Sequence, residues 1–262
     1  RNQARFSALW CHDLALKRSE TALRGIAWNY DKVFVLSEFQ RAQYKTVYDV
    51  PDELLYVTRN GVDLATVAEV KASAPEGAMR NPLSIVYSAR PERGLDILLA
   101  EVFPRILKLE PQAKLFLSTY FNPVDTLADF YSQCKALADG LGDRVVYLGH
   151  LTKEKLYEVY HAAGVYIYPV PSQLAPEFDE ISCIAAMEAQ ACGLPVVTSA
   201  RGALVETVAP GAGALISEPP FTPAYYDAMA DATLRLMRDR TAWSAASAAG
   251  LARAESLDWD GG

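Results

Sequence analysis

Glu180 and Glu188 stand eight residues apart in the stretch Glu180-Ile-Ser-Cys-Ile-Ala-Ala-Met-Glu188-Ala-Gln-Ala-Cys-Gly-Leu-Pro195-Val-Val. On one helix they would lie within roughly 80° of each other and about 12 Å apart along the axis. That is too far to share a proton or a metal ion, but it suits an elongated ligand held at both ends. Carboxylates suit polyols, because they accept hydrogen bonds from O–H groups and their charge strengthens those bonds. They are poor neighbours for phosphate. A ligand of the form polyol, diphosphate, polyol, the shape of a nucleotide diphospho-sugar, therefore needs cations or backbone N–H groups between them. The ordinary alternative for two glutamates on one face is solvation. Against it, Ile181, Cys183, Ile184 and Met187 make the intervening sequence apolar, and a carboxylate on a buried helix requires a partner.

The cations that such a ligand needs have one candidate source. Arg90-Pro-Glu-Arg93-Gly94 follows an apolar strand candidate and opens a helix. In open α/β sheets ligands bind at the carboxyl ends of strands, where helix N-termini favour anions. Arginine also pairs with phosphate oxygens in a bidentate way. Equally compatible with the local sequence is a surface pairing of Arg90 and Arg93 with Glu92 or Asp96. The turn Thr198-Ser-Ala-Arg-Gly202-Ala203 has small residues that would let N–H groups approach a phosphate, a weak signal alone. His12-Asp13 closes the first strand candidate. His150 ends another and could frame a nucleotide base, and His161 reads as structural. Asp258-Trp259-Asp260 has the form of an acidic metal motif but sits at the C-terminus and is read as coincidence. Gly211-Ala-Gly213 lacks the third glycine of a dinucleotide fingerprint, which argues against an NAD site.

These residues must be positioned by alternating apolar runs and helical stretches, the pattern of a parallel α/β sheet. Strands are expected at 8–11, 32–36, 54–58, 83–88, 114–118, 145–148, 164–168 and 195–198. Most are continuous apolar runs, as for strands covered on both faces. Helices are expected at 19–29, 38–47, 94–109, 124–141, 153–163 and 181–191, with one long helix within 223–254. Pro104 should kink or interrupt the third. The stretch 71–82, with weak periodicity and two prolines, places a linker at 66–81 between a partial unit (1–65) and a full Rossmann-like domain (82–262).

Composition narrows the field. In 262 residues, 51% are hydrophobic and 22% charged, ordinary for a folded protein. A net charge of −7 argues against nucleic-acid binding, which needs a basic surface. No apolar run approaches the roughly 18 residues of a spanning helix, and the opening residues are not expected to act as a signal peptide. Cys11, Cys134, Cys183 and Cys192 have no metal-like spacing; Cys183 and Cys192 lie in apolar sequence and read as core residues of a reducing compartment. With three histidines, a multi-histidine metal site is not expected.

Taken in order, His12-Asp13, Ser37-Glu-Phe39, Asn60-Gly-Val-Asp63, Pro91-Glu-Arg93-Gly94-Leu95, Glu180-x7-Glu188 and Ala191-x-Gly193-x-Pro195-Val-Val resemble the motifs of family-4 glycosyltransferases. The resemblance runs from about residue 8 to the C-terminal region. It implies a GT-B type α/β fold: a Rossmann-like parallel sheet flanked by helices, with a partial second Rossmann-like domain. It further implies retaining transfer of a hexose-type sugar from a nucleotide diphospho-sugar to a glycan, lipid or small-molecule acceptor, with no metal or other cofactor. By the same resemblance Arg93, with Arg90 in support, binds the diphosphate. Glu180 contacts the transferred sugar, Glu188 holds the ribose hydroxyls, and His12 reaches the donor sugar near the reacting carbon. Ser182, Cys183 and Ile184 complete the donor-binding set. Ser88 stands where the family commonly has arginine, and Ser182-Cys183 replaces its usual Phe-Gly. The chain is expected to begin at the tail of the acceptor-side domain, whose remnant packs on another chain or on a missing N-terminal half. A cytoplasmic location is expected, at most peripheral at the inner membrane face. A nucleotide-sugar 2-epimerase of the same fold and a non-catalytic nucleotide-binding module are the alternatives.

Overall fold

The computed structural model describes residues 5–16, 25, 27–75, 77–119 and 125–259. By contact density the chain forms two compact units. The first comprises Arg1–Asn60, Asp179–Cys183 and Arg201–Thr207; the second comprises Gly61–Phe178, Ile184–Ala200 and Val208–Gly262.

The first unit holds a three-stranded parallel sheet, β1 (Ala8–Trp10), β2 (Lys32–Val35) and β3 (Leu55–Val57), in that order and with Leu9 opposite Val33 and Val33 opposite Leu55. Ser37 caps helix Glu38–Tyr48 by accepting the Gln40 N–H at 3.1 Å, the standard way to satisfy a free first-turn donor. Tyr44 and Tyr48 of that helix are buried with Cys11, Val33, Val35, Val50 and Leu55 in one apolar cluster. The helix expected at 19–29 lies largely outside the described residues; its end, Ala27–Asn29, is a 3-10 turn.

The second unit is built on six parallel strands: β4 (Ser84–Tyr87), β5 (Lys114–Leu117), β6 (Val145–Tyr147), β7 (Val165–Tyr168), β8 (Val196–Ser199) and β9 (Gly213–Ile216), in the spatial order β6-β5-β4-β7-β8-β9. The chain winds outward from β4 to β6, then crosses to β7 and winds the other way. The switch point therefore lies between β4 and β7, where a doubly wound sheet opens a crevice at its strand ends. Every residue of β4, β7 and β8 is buried, including the polar Ser84, Thr198 and Ser199, whose hydroxyls donate to the carbonyls of Asn81, Tyr168 and Val170. Strand β5 alternates, with Lys114 and Phe116 only partly covered.

Several expected elements differ. Strand β9 was not expected, because Pro210-Gly-Ala-Gly213 carries turn chemistry rather than β-propensity. Residues 66–81, read as a linker, carry most of helix Leu64–Ser73, capped by Asp63 through the Thr66 N–H at 2.9 Å. The stretch 94–109 is not one regular helix. A turn at Leu95–Ile97 passes into a π-helical segment, Leu98–Val102, before helix Phe103–Leu109. Pro104 has no N–H to give and crowds the preceding turn, and the wider i→i+5 spacing relieves the clash. Residues 124–141 give a 3-10 turn at Asp125–Leu127 and helix Ala128–Gly140, with Val124 outside the described residues. The long C-terminal helix is two, Pro223–Arg238 and Arg240–Ala254. Asp239 breaks the run by turning extended and capping the second through the Ala242 N–H at 2.9 Å. Asp258 of the acidic triplet pairs with Val62 as a β-bridge, and Asp260 lies outside the described residues.

The expected helix 181–191 starts later, at Ile184. Glu180 is therefore not on that helix, and the helical phase relating it to Glu188 does not hold. Its side chain turns back on its own backbone instead: Oε1 accepts the N–H groups of Ile181 at 3.1 Å and Ser182 at 3.3 Å. Donors committed to a preceding carboxylate hold this segment out of helical geometry.

Candidate functional site

In the second unit, the loops leaving β4 and β7 meet at the switch point. Arg90-Pro-Glu-Arg93 forms a 3-10 turn beginning at Pro91, closed by Gly94 at φ 99°. A Cβ at Gly94 would stand 2.2 Å from the Pro169 carbonyl oxygen. Glycine is the residue that allows both the left-handed backbone and this contact with the chain leaving β7. The turn delivers Arg93 over the ring of Phe178, with the guanidinium carbon 3.5 Å from the ring centroid. Stacking fixes the plane of the guanidinium while leaving its N–H fork to make other bonds. The surface pairing that was open for both arginines is made by Arg90. Its Nη1 lies 3.4 Å from Glu92, with the side chain 66% exposed, and Glu92 also accepts the Tyr131 hydroxyl at 2.7 Å. Ser88, at the end of β4, hydrogen-bonds the hydroxyl of Tyr160.

Asp96 follows on the next turn, Leu95–Ile97. Its Oδ2 accepts the Gln173 N–H at 3.0 Å, bridging the two loops, while its Oδ1 is buried without a hydrogen-bond partner among the described residues. Burial holds this carboxyl above the usual carboxylate range, against the hydrogen bonds that pull it down. A folded-state pKa above the unfolded value gives stability below the unfolded pKa that is lost as pH rises through the folded one. Asp96→Asn should thus raise stability at neutral pH, with the gain shrinking as pH falls toward the ordinary Asp range. Denaturant unfolding at a series of pH values reads this directly; a gain that grows toward low pH would contradict it.

Helix Ile184–Ala191 follows and stops ahead of Gly193, as the sequence indicated. Ile184, its first residue, is exposed. Glu188 is only 4% exposed, and it has the partner that burial demands: both Lys153 Nζ and the Tyr157 hydroxyl, at 2.9 Å, reach its Oε1. Neither residue was singled out in the sequence. Their i,i+4 spacing on helix Lys153–Ala162, just behind the Thr152 cap, puts them on one helix face but carries no pointer to Glu188. The Tyr157 phenol is pushed well up by its own burial and by the Glu188 charge, so it remains a donor. Among the described residues, Glu188 Oε2 has no protein donor.

In the first unit, His12 is exposed beyond β1, its ring 4.9 Å from that of Trp10. Gln40, fully buried, fixes the backbone on both sides of it. Its Nε2 donates to the carbonyls of Cys11 at 3.2 Å and Asp13 at 3.0 Å, and its Oε1 accepts the Leu36 N–H at 2.7 Å. The Tyr44 hydroxyl adds a second bond to Asp13 O at 3.1 Å. The pattern Ser37-x-x-Gln40, a capping-box spacing, marks this residue in the sequence. Glu180 and Ser182 are partly exposed and Cys183 is buried; the Ser182 hydroxyl accepts from Asn60 Nδ2 at 3.0 Å. His150 is exposed beyond β6, and His161 lies on the Val67 carbonyl at 3.3 Å, its pKa lowered by burial.

The four cysteines are free and buried. Among the described residues no three His, Cys, Asp or Glu side chains converge on a metal position, and no helix is long and apolar enough to cross a membrane.

A doubly wound parallel sheet with a glycine-closed, arginine-bearing turn at its switch point and a buried, partnered carboxylate on the following helix defines a Rossmann-like α/β protein, and its likeness to a solved structure makes the fold the GT-B type. A solved sucrose-phosphate synthase from Thermosynechococcus elongatus shares this fold with a TM-score of 0.76 at 26% identity, over 98% of this chain and 65% of its own. The family described as Glycosyl transferases group 1 matches residues 83–239, and the chain belongs to that family. Two curated relatives extend the similarity. One is the GDP-mannose-dependent monoacylated alpha-(1-6)-phosphatidylinositol monomannoside mannosyltransferase of Corynebacterium glutamicum, 25% identical over 93% of this chain. The other is a D-inositol 3-phosphate glycosyltransferase of Mycobacteroides abscessus, 28% identical over 83%. The chain spans 62% and 49% of the length of these two proteins.

Proposed function

We propose that this chain is the donor-binding part of a retaining glycosyltransferase that moves a hexose-type sugar from a nucleotide diphospho-sugar to a glycan, lipid or small-molecule acceptor. The observation that carries the reading is Glu188, a buried carboxylate with one oxygen held by Lys153 and Tyr157 and the other open to accept from a ribose hydroxyl. Arg93, held flat on Phe178, takes the diphosphate. As the glycosidic bond breaks, the diphosphate gains charge, and a fixed cation there stabilises the transition state more than the ground state. Glu180 accepts from the transferred sugar, and His12 acts beside the reacting carbon. Ser182, Cys183 and Ile184 complete the proposed donor-binding set, and Arg90 contributes charge. A donor of this class is supported by the relative whose name specifies GDP-mannose. Both curated relatives above are transferases, which favours transfer over the epimerase alternative. Arg93 supplies the charge compensation that a metal would otherwise give.

The test is incubation with GDP-mannose and with UDP-glucose, with and without EDTA. The 262-residue chain is expected to bind one of these donors equally well in EDTA. A longer polypeptide carrying a complete first unit is expected to release nucleoside diphosphate and form a glycoside. An altered sugar on an intact nucleotide would mean epimerisation instead, binding without turnover in the longer polypeptide would mean a module, and binding lost in EDTA would remove the metal-free reading.

A further inference from the structure

The segment that carries Glu180 is built against a second one, Arg201–Thr207, within the first unit. Arg201 Nε donates to Asp179 Oδ1 at 2.6 Å, one residue before Glu180. The Ala203 N–H donates to the Glu180 carbonyl at 2.7 Å. Between them Gly202, at φ 55°, lies so close that a Cβ there would stand 2.4 Å from Glu180 O and 2.9 Å from Glu180 N. The Glu180 backbone is therefore held by Gly202 and Ala203, with Arg201 holding the side chain of the residue before it. That grip is itself anchored. Glu206, on the short helix Leu204–Thr207, accepts the Glu38 N–H at 2.9 Å and the Phe39 N–H at 2.7 Å, one on each carboxylate oxygen. These are first-turn donors of helix Glu38–Tyr48, free of intrahelical partners, and a carboxylate there is favoured by charge as well as by hydrogen bonding. Arg59, at 3.9 Å, adds a cation to the same carboxylate.

We infer that Arg201, Gly202 and Glu206 are positioning residues for Glu180. They fix the backbone from which the Glu180 carboxylate is presented, and so set preference for the sugar end of the donor rather than affinity for its nucleotide. The sequence marked the turn 198–203 only for a possible phosphate contact. In the structure its close backbone approach is made to Glu180, and the nearby glutamate carries the anchoring. The inference rests on the reading of Glu180 as the sugar contact. A positioning role differs from a merely structural one in its signature: it moves the affinity ratio between sugar conjugate and bare diphosphate, whereas general destabilisation lowers both.

The experiment measures Kd by calorimetry for GDP and GDP-mannose, and for UDP and UDP-glucose, on the 262-residue chain. The variants are Glu180→Ala, Gly202→Ala, Glu206→Ala, Arg201→Ala and Arg201→Lys. For the pair that binds, Glu180→Ala sets the full loss of preference for the conjugate. Gly202→Ala and Glu206→Ala are expected to reproduce most of it, lowering the preference about tenfold with diphosphate affinity changed less than about twofold. Arg201→Ala should do the same more weakly, and Arg201→Lys should recover part of the loss, because an ammonium still pairs with Asp179 without the fixed fork. If Glu180→Ala leaves the preference intact, the donor reading of Glu180 fails before the positioning inference is reached. If Glu180→Ala removes it and Gly202→Ala and Glu206→Ala do not, the inference is overturned. An equal loss for both ligands in those two variants, including through misfolding, overturns it as well.

Discussion

Arg80→Ala is expected to lower the unfolding free energy by about 3 kcal/mol, a cost in the range of broken buried polar networks. Arg80 sits ahead of β4, in the stretch that reads as featureless linker, yet its guanidinium ties three pieces of the second unit together. Nη1 donates to the carbonyls of Tyr160 at 3.1 Å and Ala163 at 3.2 Å, and Nη2 donates to the carbonyl of Cys192. These carbonyls lie at the ends of helices Lys153–Ala162 and Ile184–Ala191, where partial negative charge collects and a cation is favoured. The Trp243 ring closes the other side, 4.8 Å from the guanidinium carbon. Burial pulls the pKa down to about 10, which still leaves the group charged at neutral pH. Alanine removes the donors and strands the carbonyls. Lysine should recover only part of the loss, since one ammonium cannot span three acceptors in two directions. Chemical denaturation followed by far-UV circular dichroism gives the number; a loss below about 1 kcal/mol, the worth of a single ordinary hydrogen bond, would mean the network contributes little.

Glu188→Ala is expected to weaken nucleotide binding by about 10- to 100-fold, the equivalent of one charge-assisted hydrogen-bonded contact at roughly 1.5–3 kcal/mol. The variant also leaves the Tyr157 hydroxyl and Lys153 ammonium without their shared acceptor, so stability falls too and the effects must be separated. Tyr157→Phe does this. It removes one donor to Oε1 and leaves the carboxylate in place, so it should cost stability while preserving most of the nucleotide affinity. Calorimetric titration with a nucleoside diphosphate, beside thermal unfolding of each variant, distinguishes the two. Should Tyr157→Phe lose as much affinity as Glu188→Ala, the carboxylate would be a structural group and the ribose contact would lie elsewhere.

The residues differ in how far the sequence alone located them. Glu188 was legible because Ile184, Met187 and Cys192 make its helix apolar, and a charge in such a helix must be satisfied. Its partners Lys153 and Tyr157 were not, since 35 and 31 residues separate them from it and local periodicity carries no information across a strand. Glu180 was placed on the same helix because the apolar run continues through Ile181; what stops the helix short is the Glu180 side chain taking the Ile181 and Ser182 N–H groups, a choice that propensity does not reveal. Arg93 was found from its place after a strand and before Gly94, but its support is the ring of Phe178, 85 positions along the chain. Of the fold, the buried strand β7 is evident as an unbroken apolar run, and β4 and β8 by their β-branched residues Ile85-Val86 and Val196-Val197-Thr198. Strand β9 was hidden by the glycines at its start, and helix Leu64–Ser73 by an apolar face reduced to Val67 and Val70.

Arg93 is proposed to hold the diphosphate of a nucleotide donor whose ribose hydroxyls donate to Glu188. The measurement that tests it most directly is titration of wild type and Arg93→Ala with a nucleoside and with the corresponding nucleoside diphosphate. Wild type should bind the diphosphate more tightly than the nucleoside. Arg93→Ala should erase at least about tenfold of that advantage, as expected for a lost charge-assisted bond, while leaving nucleoside affinity unchanged. A loss of equal size for both ligands, or a diphosphate bound no better than the nucleoside by wild type, would contradict the account.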